Sequence, residues 1–149
     1  MEKISHILVP INGGRCDDEA LQLASLIAKK NKSHVTVMHV VEVPRALPLD
    51  AELPAETTRG ERLLEHAEEQ AHHFGFEIHA ELLQARAAGV ALVDEATRLK
   101  VDLIIMGLPN RTRFSTFYLS KNSNYILNHA TCRVWLVREP FNSKTESHP

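Results

Sequence analysis

The sequence predicts an α/β fold: a doubly wound, five-stranded parallel sheet with helices on both faces. Three observations carry that expectation. Short apolar runs alternate with amphipathic stretches from end to end of the 149-residue chain. Runs such as Leu103-Ile104-Ile105-Met106 are apolar at every position, as suits strands buried on both faces. Repeated strand–helix–strand units require right-handed crossovers, and hence parallel strands.

The first strand is expected over residues 6–11, closed by the turn sequence Asn12-Gly13-Gly14. Asp17 or Asp18 is then expected to cap a helix carrying Ala20, Leu21, Ala24, Ile27 and Ala28 on one face. Lys29, Lys30 and Lys32 fall in its last turn, where positive charge suits the helix dipole. Residues 35–41, rich in β-branched side chains, read as the second strand. Pro44, Pro48 and Pro54 make the next stretch a loop. A helix over 56–74 follows, with Leu63, Leu64, Ala67 and Ala71 facing inward and Gly75 ending it.

Residues 77–84 alternate as a strand, and 90–99 form a helix with Val90, Val93 and Ala96 aligned. Residues 102–106 are the fourth strand, and Gly107 opens a long polar loop. A helix over 121–129 and a strand over 133–138 complete the chain. Residues 1–139 are expected to form one domain and 140–149 a loosely held tail. In such folds ligands bind beyond the carboxyl ends of the strands, where strand order reverses, which puts Asn12, Val40 and Gly107 around one crevice.

Composition narrows the function. A charged fraction of 24% and a net charge of −2 carry no basic excess, so no nucleic-acid partner is expected. No apolar run is long enough for a membrane span and the N-terminus lacks a signal-peptide pattern, so a cytoplasmic location is expected. Cys16 and Cys132 read as reduced thiols. Cys16, near a helix N-terminus and beside Arg15, is a minor candidate for a reactive thiol.

His66, Glu69 and His73 share a helical face at i, i+3 and i+7, yet sit among Glu and Gln as on a solvated surface, so no metal is expected. His39 reads as a packed histidine with a hydrogen bond, and His129 as a partner of its helix dipole. Phe114, Phe117 and Tyr118 read as anchors of the long loop more than as a stacking platform. No nucleophile elbow, lysine P-loop or zinc-protease helix is present, and catalysis has no supporting residues.

Four segments carry a family resemblance. Ile7-Leu8-Val9-Pro10-Ile11-Asn12-Gly13, His39-Val40-Val41, Asp102-Leu103-Ile104-Ile105-Met106-Gly107, and the stretch from Ile126 to Arg138 resemble, in order, strands and loops of universal stress proteins. The resemblance implies a Rossmann-like fold of the adenine nucleotide alpha hydrolase kind with strand order 3-2-1-4-5, usually dimeric. It also implies a regulatory module in stress response or signalling that binds an adenine nucleotide, whether ATP, AMP or a cyclic dinucleotide. The implied contacts are Pro10, Asn12, Val40, Met106, Gly107, Asn110, Ser120, Lys121 and Asn122.

The family's phosphate loop runs glycine, two residues, glycine, nine residues, glycine, then Ser or Thr. Here Gly107 stands at the first glycine, Asn110 at the second, Ser120 at the third and Lys121 at the hydroxyl position, while Asn12 replaces the family's usual Asp. Lost glycines remove close backbone approach to phosphate, so binding is expected to be weak. Asn110 tolerates a left-handed turn, Ser120 can cap the last helix, and Arg111, Arg113 and Lys121 bring charge, so the loop can be rebuilt from side chains. The alternatives are a nucleotide-independent dimeric interaction module, or the regulatory domain of a larger transporter or kinase system. A homodimer is expected on the last strand, where Val134, Trp135, Leu136 and Val137 form an apolar run at a sheet edge and Trp135 gains most by burial.

Overall fold

The structure, a computed structural model, describes residues 3–108 and 119–140. Its elements follow in the order β1 (His6–Pro10), α1 (Asp17–Asn31), β2 (His34–Glu42), α2 (Pro54–His73), β3 (His79–Ala85), α3 (Ala88–Arg98), β4 (Leu103–Gly107), α4 (Lys121–His129) and β5 (Arg133–Val137). All pairings are parallel and the order is β3-β2-β1-β4-β5, which places β1 at the centre between β2 and β4, with β3 and β5 at the edges.

Strand pleating sorts the core into two layers. Ile7, Val9, Val35, Val37, Leu103 and Ile105 point to the side covered by α1 and α2, where Ala20, Leu21, Ala24, Leu64 and Ala67 meet them. Leu8, Met38, Ile104 and Met106 point to the other side, against Leu92 and Ala96 of α3 and Ile126 of α4. β1 and β4 are buried through their middles on both faces, as their apolar sequences require.

Several local expectations change. Pro54 opens α2 instead of belonging to the preceding loop; in the first turn its missing N–H costs nothing. β3 begins at His79, two residues later than expected, and Phe76 and Ile78 ahead of it pack against the α1–α2 side of the core. In α3 the buried face is Gly89, Leu92 and Ala96, and Val90 is 38% exposed. Gly89 sets that phase: a Cβ on it would lie 3.1 Å from the Tyr125 Cβ and 3.2 Å from the Asn122 Cα, so α3 and α4 touch there backbone to backbone. Lys32 lies just past α1 as its left-handed cap residue, with φ 56°.

Candidate functional site

The carboxyl ends of β1, β2 and β4 and the amino end of α4 enclose a cavity of about 150 Å³. It is lined by Pro10, Ile11, Asn12, Asp17, Met38, Val40, Ala88, Leu92, Met106, Gly107, Ser120, Asn122, Ser123 and Ile126. A second recess of about 280 Å³ adjoins it, sharing Asn12, Val40, Ala88 and Asn122 and adding His39, Glu42, Glu56 and Arg59. The position is the switch point of the sheet, where β1 has β2 on one side and β4 on the other.

Of the nine residues singled out in the sequence, Pro10, Asn12, Val40, Met106, Gly107, Ser120 and Asn122 line the first cavity together. Lys121 does not. It is exposed at the first position of α4, and with Asn122, Ser123 and Ile126 facing inward the helical rotation turns it outward. Asn110 lies outside the described residues, as do Arg111, Arg113, Phe114, Phe117, Tyr118 and the tail beyond Pro140.

The β1–α1 turn forms one wall. Gly13 takes φ +94°, a left-handed conformation that favours glycine. The expected capping by Asp17 or Asp18 is not what the turn uses. Cys16 is the N-cap residue and makes no side-chain cap. Asp17, in the first turn, folds back so that its Oδ2 accepts the N–H groups of Asn12 at 3.1 Å and Gly13 at 2.8 Å. The Asn12 Oδ1 in turn accepts the Gly14 N–H at 3.1 Å. From α2, the Arg59 guanidinium donates to the Asn12 carbonyl at 2.6 Å and closes the outer side of the turn. Desolvation pushes the Asp17 carboxyl above its ordinary range, and the neighbouring Asp18 charge pushes the same way; the N–H groups donated to it pull against them.

The opposite wall is α4. Ser120 caps it as expected, its Oγ accepting the Ser123 N–H at 3.1 Å. That leaves the N–H groups of Lys121 and Asn122 without an intrahelical partner, as at any helix start. The Asn122 Oδ1 accepts the Gly89 N–H at 2.9 Å and ties α4 to the start of α3. Ala88 N–H donates to the Glu42 Oε2 at 2.8 Å, so the end of β2 holds the same helix start. His39 is buried, and its Nδ1–H donates to the Ile11 carbonyl at 2.9 Å, the packed role expected of it.

Other candidates disperse. His66 reaches across to Asp18, with Nε2 3.1 Å from either carboxylate oxygen. Cys16 is 2% exposed, and burial pushes its thiol above the ordinary range, the opposite of an activated thiolate. Cys16, Glu19 and Glu139 bring ligand-type atoms within 4.8 Å of one another, but Arg15 engages the Glu139 carboxylate at 3.2 Å. His129 Nδ1–H donates to the Tyr125 carbonyl, and the two rings stack at 4.0 Å. On β5, Trp135 is partly buried against the α1–α2 side of the core, so the most exposed apolar side chain of the edge is Leu136, at 36%.

Asp17, Ala88 and Arg59 were missed by sequence reasoning. Ala88 reaches the cavity and Arg59 the turn from elements distant in the chain, and neither carries a local signal. Asp17 reads as a cap in sequence, and its backward bonds to the Asn12 and Gly13 N–H groups match no local turn signature.

Known proteins sharing this architecture form a consistent set. The Universal stress protein family matches residues 3–138. A universal stress protein of Methanocaldococcus jannaschii is 30% identical over 140 residues, covering 90% of this chain and 82% of that protein. A universal stress protein structure from Archaeoglobus fulgidus superposes with a TM-score of 0.76 at 16% identity, covering 89% of this chain and 97% of that one. One from the same organism in complex with dAMP superposes at 0.72 with 17% identity, covering 91% and 98% of the two chains.

Proposed function

Since the chain belongs to the universal stress protein family, we propose that it is a regulatory module that holds an adenine nucleotide weakly in the cavity between β1, β4 and α4. The observation that carries this reading is the convergence of the strand ends with the start of α4, whose first N–H groups have no intrahelical partner, next to a mixed polar and apolar wall. The relative that holds dAMP has the same fold and supports an adenine ligand. Weakness follows from the lining. Asp17 is its one ionisable residue among those described, and Lys121 points away, so a polyphosphate gains no direct cation from these walls.

In this reading the module works by binding and not by turnover, in the cytosol. Among the described residues, no helix is long and apolar enough to cross a membrane. The β5 edge favours a second element of the proposal, a two-fold dimer in which Leu136 is covered by its copy.

Thermal denaturation with AMP, ATP and GTP tests the binding reading. At 100 times the dissociation constant a ligand stabilises the native state by about 2.7 kcal/mol. AMP and ATP are expected to raise the melting temperature at millimolar concentration, and GTP to leave it unchanged. No response to any adenine nucleotide would leave the nucleotide-independent module as the reading.

A further inference from the structure

Asp17 stands out among the cavity residues. An aspartate in the first turn of a helix is ordinarily a solvated charge that complements the dipole. Here the hydrogen bonds it accepts from the Asn12 and Gly13 N–H groups both end on Oδ2, which fixes the side chain; the Gly14 N–H lies near as a weaker donor, and Oδ1 is the oxygen with capacity left to accept from a ligand. The carboxylate is half-buried, and no Lys or Arg among the described residues forms an ion pair with it. A partly desolvated carboxylate without a counter-charge gains most from an O–H or N–H donor. It also repels a phosphate group, which would sit at the far wall where α4 begins.

We propose that Asp17 is the specificity-determining acceptor of the cavity, selecting a ligand whose uncharged, hydroxyl-bearing nucleoside part meets the β1–α1 turn. The inference rests on the adenine-nucleotide reading and narrows it: the ribose hydroxyls are recognised here. Asp17 thus does two things with two oxygens. Oδ2 holds Asn12 and Gly13 in the conformation that opens the cavity, and Oδ1 reads the ligand.

Calorimetric titration of the unaltered protein with adenosine and with 2′,3′-dideoxyadenosine tests this without any variant. Losing a bond to an ionised group weakens binding by about tenfold or more, so adenosine is expected to bind at least that much more tightly. Asp17→Asn keeps a carbonyl oxygen for the Asn12 and Gly13 N–H groups but replaces the second acceptor with an NH₂ donor. In that variant a hydroxyl can still accept from the NH₂ but the charge-assisted bond is gone, so the preference is expected to fall severalfold, with the circular dichroism spectrum unchanged. Equal affinity of the unaltered protein for the two compounds would overturn the role of Asp17 and leave the nucleotide reading standing. No binding of adenosine, AMP or ATP would overturn both.

Discussion

Gly107, the last residue of β4, lies against the backbone of Cys16, the residue that starts α1. A Cβ on Gly107 would come within 2.7 Å of the Cys16 Cβ and 2.8 Å of its carbonyl carbon and oxygen. The glycine that the family resemblance assigns to phosphate approach is therefore also required by packing between the end of β4 and the start of α1.

Gly107→Ala is expected to destabilise the fold by about 1–3 kcal/mol, since backbone and not a flexible side chain must give way. The shift would move the β4 end against the β1–α1 turn and reshape the cavity. Urea denaturation of the variant measures the first effect, and loss of AMP binding at a temperature where the variant is folded measures the second.

Asn122→Ala is expected to cost about 1–3 kcal/mol, because it removes the acceptor for the buried Gly89 N–H at the start of α3. Asn122→Asp keeps an acceptor there and adds a charge that suits the helix start, so its stability should match or exceed that of the unaltered protein. Denaturant midpoints of the two variants decide this. Equal losses in both would mean that the Gly89 bond contributes nothing.

His6 gives stability a pH dependence near neutrality. Its Nδ1–H donates to the Leu99 carbonyl at 3.2 Å, and Nε2 accepts from the Thr36 hydroxyl at 2.7 Å, an arrangement of the neutral ring. Desolvation pulls its pKa below the ordinary 6.5; the His34 and His79 charges lower it further, while the Leu99 bond and Asp102 oppose the shift. The unfolded chain then binds the proton more readily. The stability His6 contributes is present above pH 6.5 and is lost as pH falls from there toward the folded-state value. Urea midpoints measured between about pH 5 and 7.5 should fall on acidification, and less steeply in His6→Gln.

If β5 pairs with its copy, Leu136→Asp should give a monomer without loss of secondary structure, because Leu136 is 36% exposed in the single chain. Sedimentation at tens of micromolar should show a dimer for the unaltered protein and half that mass for the variant. A monomeric unaltered protein would end the dimer proposal.

Much of the fold was legible because the strands carry unambiguous apolar runs. Leu103-Ile104-Ile105-Met106 cannot be anything but buried, and Gly75, at φ +72°, stops α2 where a glycine should. What escaped was phase and direction. Val90 looked like a core residue until Gly89 fixed which face of α3 meets α4. Lys121 looked like a phosphate ligand by position in the motif, but one residue along a helix is about 100° of rotation, and Asn122 is the one that faces in. Arg59 and Asp17 were illegible because their roles depend on contacts across the turn that no local pattern encodes.

In the proposed arrangement the ligand sits between the strand ends and the start of α4. Backbone amide shifts in a two-dimensional nitrogen–proton spectrum, recorded while AMP is added to the isotope-labelled protein, test it most directly. The largest shifts are expected on Asn12, Gly13, Val40, Gly107, Asn122 and Ser123, with β3 and the far end of α2 unaffected. Shifts absent from these residues at millimolar AMP, or clustered elsewhere on the surface, would contradict it.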